Sequence, residues 1–189
     1  MALTREQILD AAEDVLRRYG PAKTNVVDVA RALNVSHGSV YRHFPSKAAL
    51  REAVAERFLE KSSAPLDEVM QTPGEPAEKL RRWLETLFAT KRQRALEDPE
   101  LFATYVGLAH ESVAAVQNHV DHLIGHLTEI VGDPQQARAI FDATARFHDP
   151  RHAPEWADPT IDEQFEAVWA LLAQAMTRPA SSAHSSAAR

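Results

Sequence analysis

The chain has 189 residues, of which 44% are hydrophobic and 25% are charged, the composition of an ordinary soluble protein. Its lack of cysteine excludes disulfides, thiolate catalysis and cysteine-ligated zinc, and we find neither a secretory leader nor the roughly 20 apolar residues of a membrane helix. The net charge of −6 argues against nucleic-acid binding over the whole surface, and we expect a cytoplasmic protein.

The charge is unevenly distributed along the chain. Residues 1–61 carry ten basic and eight acidic side chains, a net charge of +2, whereas residues 62–189 carry −8. This division indicates a head over residues 1–61 that binds a polyanion, and an acidic body over residues 62–178. The last residues, 179–189, are small and polar, and they are expected to form a disordered tail.

Long stretches of helical periodicity and only six glycines predict an all-α protein. In the head, the expected N-cap residues of four successive helices are Thr4, Thr24, Ser36 and Ser46. The first helix is expected to end at Gly20-Pro21 and the fourth near Lys61.

In the body, aspartate followed by proline marks the start of several helices. The predicted helices cover residues 77–96, 99–131 with a break near Gly107 or His110, 134–147 and 160–177. Three prolines in the connection HDPRHAPEWADP, residues 148–159, argue against a regular element there.

The segment NVSHGSVYRHF, from Asn34 to Phe44, is unusually polar for a short helix. Val40 and Phe44 lie four residues apart and are expected to attach it, which leaves the other side chains facing outward. A solvated surface helix is the plain alternative. A tight turn between two short helices, a glycine near the helix start, and side chains suited to phosphate and guanine favour a DNA-binding helix-turn-helix.

Several residues of the head have the types and spacing found in one protein family. They are Thr24, Val29-Ala30, the turn Asn34-Val35-Ser36, Gly38-Ser39, Tyr41-Arg42-His43-Phe44 and Lys47. On these residues the chain resembles the TetR family of bacterial transcription regulators. It departs mildly at Asn34, where the family usually has glycine, since asparagine tolerates a left-handed turn.

The resemblance implies that the head binds double-stranded DNA. The expected DNA-binding residues are Thr24, Ser36, His37, Gly38, Ser39, Tyr41, Arg42, His43 and Lys47. His37 and Arg42 are candidates for contacts with bases, whereas Thr24, Tyr41 and Lys47 are expected to contact phosphates. A hydrogen bond within the protein remains the alternative role for His43.

The resemblance also implies a homodimer formed through the helices at 133–147 and 160–177, a palindromic operator and an unknown small-molecule effector. The residues expected to bind the effector are Trp83, Leu87, Phe102, Tyr105, His110 and Glu111, although most of the apolar ones also suit an ordinary core. Release from DNA by the effector would make the protein a ligand-responsive repressor, with neither a cofactor nor an enzymatic activity.

His119, His122 and His126 lie along one side of a predicted helix, and the last two have the i, i+4 spacing of a metal pair. Solvated histidines on the flank of a helix are the plain alternative, and we expect no metal. A helical metalloprotein or metallo-enzyme that uses these histidines remains the alternative function. A helical scaffold that keeps only the fold of a DNA-binding head is a third.

Overall fold

The structure, a computed structural model, describes residues 3–177, so that the expected disordered tail lies outside the described residues. Within this part the chain contains no strand, which confirms the all-α fold class. No helix there is long and apolar enough to cross a membrane. The α-helices are α1 (Arg5–Tyr19), α2 (Val26–Ala32), α3 (His37–Tyr41), α4 (Lys47–Gln71), α5 (Pro76–Glu97), α6 (Pro99–His110), α7 (Val113–Val131), α8 (Pro134–Ala143) and α9 (Ile161–Thr177).

The first helix begins and ends as its sequence predicts. Thr4 and Gln7 form a capping box, in which Gln7 N donates to Thr4 Oγ1 at 3.2 Å and Thr4 N donates to Gln7 Oε1 at 3.0 Å. Gly20 ends the helix with a φ of 76°, a left-handed value that favours glycine. The chain therefore leaves α1 at Gly20, where the sequence predicted the end of this helix.

The predicted cap of α2 is wrong by one residue. Asn25, rather than Thr24, caps this helix, and its Oδ1 accepts from Val27 N at 3.0 Å and from Asp28 N at 3.1 Å. Thr24 is fully buried and donates its hydroxyl to Gly20 O at 3.3 Å. Asparagine and threonine are both good caps, so their order in the sequence did not decide between them.

The fourth helix continues to Gln71 instead of ending near Lys61. Pro65 lies inside it and, lacking an N–H, leaves the carbonyl of Lys61 without its helical donor. Arg94 of α5 donates to that carbonyl at 2.9 Å, which satisfies the free acceptor. The domain boundary expected at residue 61 therefore falls inside a continuous helix.

The long helix expected over residues 99–131 is divided near His110, as predicted. The second of the two helices, α7, begins after Ser112, whose Oγ accepts from Ala115 N at 3.2 Å. The chain changes direction at this break, so that α6 packs on α4 while α7 packs on α8.

The segment after α8 differs from the prediction in two respects. The helix expected to reach residue 147 ends at Ala143, and a short 3-10 helix follows at Ala145–Phe147. The proline-rich connection, expected to be irregular, contains a 3-10 helix at Pro150–Ala157. Trp156 anchors it, being fully buried and donating Nε1–H to Arg146 O at 2.8 Å.

Two apolar cores are joined by α4. The head core contains Leu50 and Val54 from the first half of this helix, whereas the body core contains Leu66 and Val69 from its second half. The second half of α6 belongs to the head core through residues such as Leu108, whereas Phe102 in its first half belongs to the body core. Both α4 and α6 therefore contribute residues to the body core and to the head core.

Candidate DNA-binding surface and ligand cavity

The turn and short helix after α2 are attached to the head by buried side chains. Asn34 has a φ of 54°, the left-handed conformation that its position in the turn predicted. Ser36 caps α3 by accepting from Ser39 N at 3.2 Å. Val40 and Phe44 are 0% and 1% exposed, which leaves the other residues of this segment on the outside.

The outward residues form a polar surface with available cations. His37, Gly38, Tyr41, Arg42 and Lys47 are exposed, and Ser39 and His43 are half-buried. Several acidic side chains of the head are engaged elsewhere, since Asp14 pairs with Arg17, Asp28 with Arg31, and Glu6, Asp10 and Glu13 with Arg57. None of these acidic side chains pairs with Arg42 or Lys47.

Ser36, Ser39 and Arg42 form a connected row along α3. The hydroxyl oxygens of Ser36 and Ser39 are 2.9 Å apart, and Arg42 Nη2 donates to Ser39 Oγ at 3.5 Å. This contact uses one guanidinium nitrogen and leaves the other donors of Arg42 free. Two parallel N–H donors are what a bidentate contact with guanine requires.

Gly38 is exposed on α3, and the fold of the head does not require a glycine there. An added Cβ would meet only Ser36 Oγ, at an ordinary contact distance of 3.9 Å. Glycine inside a helix costs about 1 kcal/mol relative to alanine. Close approach of a molecule outside the head explains the residue better than packing within the head does.

Thr24 and Ser36 are placed differently from the other predicted DNA-binding residues. Because Thr24 is fully buried against Gly20, its side chain cannot reach a phosphate in this conformation. Ser36 is exposed, yet its Oγ already serves as the cap of α3. The resemblance implied a phosphate contact for Thr24, and in this structure Asn25, rather than Thr24, caps α2.

A cavity of about 690 Å³ lies in the body among α4, α5, α6, α7 and α8. This volume lies within the range of sites for drug-sized ligands, roughly 300–1,000 Å³. Apolar lining is contributed by Phe58, Leu59, Phe102, Val106, Val116, Val120, Leu123 and Phe141. Polar and charged lining is contributed by Ser62, Thr90, Lys91, Arg94, His110, His119, Arg138, Asp142, His148, Asp149 and Arg151.

Two of the residues predicted to bind an effector, Phe102 and His110, line this cavity. Trp83 and Leu87 are fully buried in the body core and do not border it. Tyr105 borders a smaller pocket of about 250 Å³ and stacks on Phe58 with ring centroids 4.4 Å apart.

Glu111, the last of the predicted effector residues, lies outside the cavity and forms an ion pair with Arg51. The sequence missed most of the polar lining, because Lys91, Arg94 and the residues around His148 come from separate segments. Sequence patterns show the face of a helix but not which segments converge on one space.

The three histidines of α7 separate into two environments. His119 lines the cavity, and its Nδ1 lies 3.2 Å from Ser63 Oγ. His122 and His126 face α4 instead, where their Nε2 atoms lie 3.1 Å and 3.3 Å from Asp67 Oδ1. Asp67, His122 and His126 bring three potential ligand atoms within 4.8 Å of one another, whereas His119 belongs to another site.

A hydrogen bond from Trp83 disfavours metal binding by His126. Trp83 Nε1 only donates, and it donates to His126 Nδ1 at 3.2 Å. Burial and the charge of His122 lower the pKa of His126, so its ring is neutral and carries its proton on Nε2. A metal requires an unprotonated ligand nitrogen, whereas the Nε2 that lies 3.3 Å from Asp67 Oδ1 carries the proton of this ring.

Two family models match successive parts of the chain. A model of bacterial regulatory proteins of the tetR family matches residues 8–54, and a model of tetracyclin repressor-like C-terminal domains matches residues 76–136 and 131–169. The chain belongs to the TetR family. In this TetR-family chain the two matches are separated by residues 55–75, most of which belong to α4.

Curated relatives of this TetR-family chain include two regulators from other bacteria. It is 32% identical over 123 residues to the HTH-type transcriptional repressor LfrR of Mycolicibacterium smegmatis, covering 61% of this chain and 64% of the relative. It is 39% identical over 57 residues to the HTH-type transcriptional regulator TtgR of Pseudomonas putida, covering 30% of this chain and 27% of the relative. The chain therefore spans less than two thirds of the length of these curated relatives.

Solved structures show the same fold along almost the whole chain. The SmeT–triclosan complex has a TM-score of 0.62 at 17% identity and covers 97% of this chain and 99% of that chain. Thermus thermophilus FadR in complex with lauroyl-CoA has a TM-score of 0.57 at 19% identity, covering 97% and 100%. BioQ with its double-stranded DNA operator has a TM-score of 0.55 at 19% identity, covering 91% and 99%.

Proposed function

We propose that this TetR-family protein is a ligand-responsive transcriptional repressor that binds a palindromic operator as a homodimer and releases it when a small molecule occupies the body cavity. One observation carries the proposal. The helix α4 lines the cavity with Phe58, Leu59 and Ser62 and contributes Leu50 and Val54 to the core of the DNA-binding head. A ligand in the body therefore contacts the same helix that shares the head core with Val40 of α3.

The head recognises DNA through the exposed residues of α3. His37 and Arg42 contact bases in the major groove, while Tyr41 and Lys47 hold phosphates on either side. Gly38 allows the helix backbone to approach the duplex closely, and Ser39 and His43 lie at the edge of this surface. Ser36 supports the surface as the cap of α3 rather than through its own contact.

Repression follows from the spacing of two heads. Helix-turn-helix dimers bind two half-sites roughly 34–36 Å apart, one turn of the double helix. A ligand that displaces α4 changes this spacing and reduces the affinity for the operator. A coupling free energy of about 1–3 kcal/mol is enough for a change of roughly 5- to 150-fold.

The dimer forms through the segments 133–147 and 160–177. The last helix, α9, packs on the body through Ile161 and Phe165, while Leu171 is 67% exposed on another side. Val168 and Leu172 are only half-buried, so this helix presents apolar surface beyond what its own core covers. Contiguous apolar surface of this kind is typical of an interface between subunits.

The relatives are consistent with such a regulator. LfrR is named a transcriptional repressor, and two proteins of the same fold have been solved with a small molecule, triclosan in one and lauroyl-CoA in the other. The proposal assigns residues 1–61 to DNA binding and residues 62–178 to effector binding and dimerisation. It also assigns no enzymatic activity, and it places the protein in the cytoplasm, where bacterial DNA lies.

The decisive experiment measures binding to DNA from upstream of the protein's own gene. Fluorescence anisotropy at several salt concentrations compares this duplex with a scrambled duplex of the same composition. A repressor binds the native duplex selectively, and its affinity falls steeply with salt because phosphate contacts release counterions. Equal binding of the two duplexes, or unchanged binding by a variant with both Tyr41→Ala and Arg42→Ala, would contradict the proposal.

A further inference from the structure

The charged residues around the body cavity do not balance one another. Four cations line it, Lys91, Arg94, Arg138 and Arg151, against two carboxylates, Asp142 and Asp149. The excess of positive charge contrasts with the net charge of −6 carried by the chain as a whole. A cavity whose lining carries an excess of cations suits an anion inside it.

Both carboxylates of the cavity are already paired with arginine. Asp142 accepts from Arg138 Nε at 2.9 Å and 3.1 Å, one contact for each carboxylate oxygen. Asp149 accepts from Arg151 through the backbone N–H at 2.9 Å and through Nε at 2.9 Å and 3.0 Å. These two pairs are neutral, so Lys91 and Arg94 carry the excess charge.

Of these two cations, Arg94 has partners and Lys91 has none. Arg94 donates to Lys61 O and to Ser62 Oγ, both on α4. Within residues 3–177, the ammonium of Lys91 has neither a hydrogen bond nor an ion pair. The charges of Asp149 and Arg94 nevertheless influence its pKa, the first raising it and the second lowering it. Burial lowers the pKa of this ammonium to about 8, so it remains mostly charged at pH 7. Lys91 is half-buried, and an ammonium that is partly withdrawn from water without a partner costs free energy unless another group compensates it.

His119 lines the same cavity and carries a buried nitrogen that has no partner among the described residues. Ser63 donates its hydroxyl proton to Leu59 O at 3.1 Å, so Nδ1–H of His119 must donate to Ser63 Oγ. Burial, reinforced by the charge of Lys91, lowers the pKa of His119 to about 3, and the ring is therefore neutral. Its Nε2 is buried, carries a lone pair, and has no partner among the described residues.

We propose that the effector is an amphipathic anion, whose acidic group binds the Lys91 ammonium, whose hydrogen-bond donor binds Nε2 of His119, and whose apolar part fills the space beside Phe102 and Phe141. Carboxylates, sulfonates and acidic phenols attached to a ring or chain belong to this class. Calling this ligand an effector rests on the proposed function, because the term assumes that the ligand controls DNA binding. The chemistry of the site itself is independent of DNA binding.

A pair of fluorescent probes tests the charge directly. 1-Anilinonaphthalene-8-sulfonate and N-phenyl-1-naphthylamine share their rings and their N–H donor, and they differ by one sulfonate. Each is titrated into the wild-type protein, into Lys91→Met and into Arg82→Met. Arg82 is exposed on the same helix and does not line the cavity, so its variant removes one positive charge elsewhere.

The wild-type protein should bind the sulfonate probe at least about tenfold more tightly than the neutral probe, because a charge-assisted pair replaces an uncompensated ammonium. Lys91→Met should lose this preference, and Arg82→Met should keep it. Equal affinities of the two probes for the wild type, or the same preference in Lys91→Met, would overturn the inference.

The pH dependence of probe binding to the wild-type protein provides a second test. This test does not depend on whether a variant folds. The sulfonate stays ionised from pH 7 to pH 9, whereas the ammonium of Lys91 loses its proton in this range. Of its other neighbours, His119 and His148 are already neutral at pH 7, and Asp149 remains ionised. Binding of the sulfonate probe should weaken about tenfold over this range, while binding of the neutral probe stays constant. A flat profile for both probes would also overturn the inference.

These measurements separate the inference from the proposed function. A Lys91-dependent preference for the anionic probe without selective DNA binding would support the anion site and contradict the proposed repressor function. Selective DNA binding with no preference between the probes would leave the repressor standing and refute an anionic effector.

Discussion

Arg51 of α4 forms a two-point ion pair with Glu111, the residue that directly follows the cavity-lining His110. The same guanidinium donates to the carbonyl of Pro21 at 2.6 Å, between α1 and α2. The side chain of Arg51 is 12% exposed and that of Glu111 is 53% exposed, so solvent reaches the carboxylate more than the guanidinium. One side chain thus connects the end of α6 with the start of the helix-turn-helix.

Breaking this pair should cost more than breaking an ordinary surface pair. In a double-mutant cycle of Arg51→Met and Glu111→Gln, we expect a coupling free energy of about 1 kcal/mol, because Arg51 is partly withdrawn from water. The exposed pair Arg17 and Asp14 on α1 is the control, with an expected coupling of roughly 0.3 kcal/mol. Chemical denaturation measures both cycles, and strictly additive losses at Arg51 and Glu111 would contradict a role for the pair.

Gly38→Ala should stabilise the protein and weaken its binding to DNA. The added methyl group meets only Ser36 Oγ within the head, so the unfolding free energy should rise by about 1 kcal/mol. Gly125→Ala is the matched control, since Gly125 is exposed inside α7 and an added Cβ meets nothing within 4 Å. It should give a similar gain in thermal stability with unchanged affinity for the operator. An unchanged affinity in Gly38→Ala as well would show that the duplex does not approach this residue closely.

The head was largely predictable from the sequence because its signals are local. The cap at Ser36, the left-handed turn at Asn34 and the buried pair Val40 and Phe44 each depend on residues a few positions apart. The error at Thr24 arose between two adjacent residues of which both are common caps and the second, Asn25, is the stronger. The local sequence predicts that a helix starts there, but it locates the first residue only to within one position.

The body was predictable as a set of helices but not as a site. The end expected for α4 near Lys61 was wrong, since the helix continues through Pro65 to Gln71 and Arg94, far away in the chain, satisfies the carbonyl that this proline leaves free. The same distance in sequence hides the cavity, whose charged groups Lys91 and Asp149 come from different segments. Such convergence is a property of tertiary packing.

Mild acid should destabilise the protein through His148. Its side chain is 4% exposed, and burial lowers its folded pKa from 6.5 to about 4. Between pH 6.5 and pH 4 this histidine is protonated in the unfolded chain but not in the folded protein. The free energy of unfolding is therefore unaffected by this group above pH 6.5 and decreases as the pH falls towards 4. The expected loss from this group is about 3 kcal/mol. Urea denaturation from pH 7 to pH 4 should therefore show a shallower decline in His148→Gln, and identical slopes in the two proteins would contradict this assignment.

Leu171→Glu should separate the two subunits of the proposed dimer. A carboxylate placed on the exposed apolar side of α9 would lose its hydration in the interface, while the body core beneath it is unchanged. Leu96→Glu is the control, because Leu96 is 46% exposed on α5, outside the proposed interface. Sedimentation should show a monomer for the first variant and the wild-type state for the second. A dimeric Leu171→Glu protein would place the interface elsewhere.

Substitutions in the head should separate base contacts from phosphate contacts. Arg42→Ala should cost about 1–3 kcal/mol on the preferred operator and less on other sequences, because a bidentate base contact is lost. Lys47→Ala should weaken all duplexes alike and reduce the slope of affinity against salt by about one counterion. Thr24→Val removes only the buried hydrogen bond to Gly20, so it should lower stability by about 1 kcal/mol and leave the salt slope unchanged. A reduced slope for Thr24→Val would show that this residue reaches a phosphate after a rearrangement of the turn.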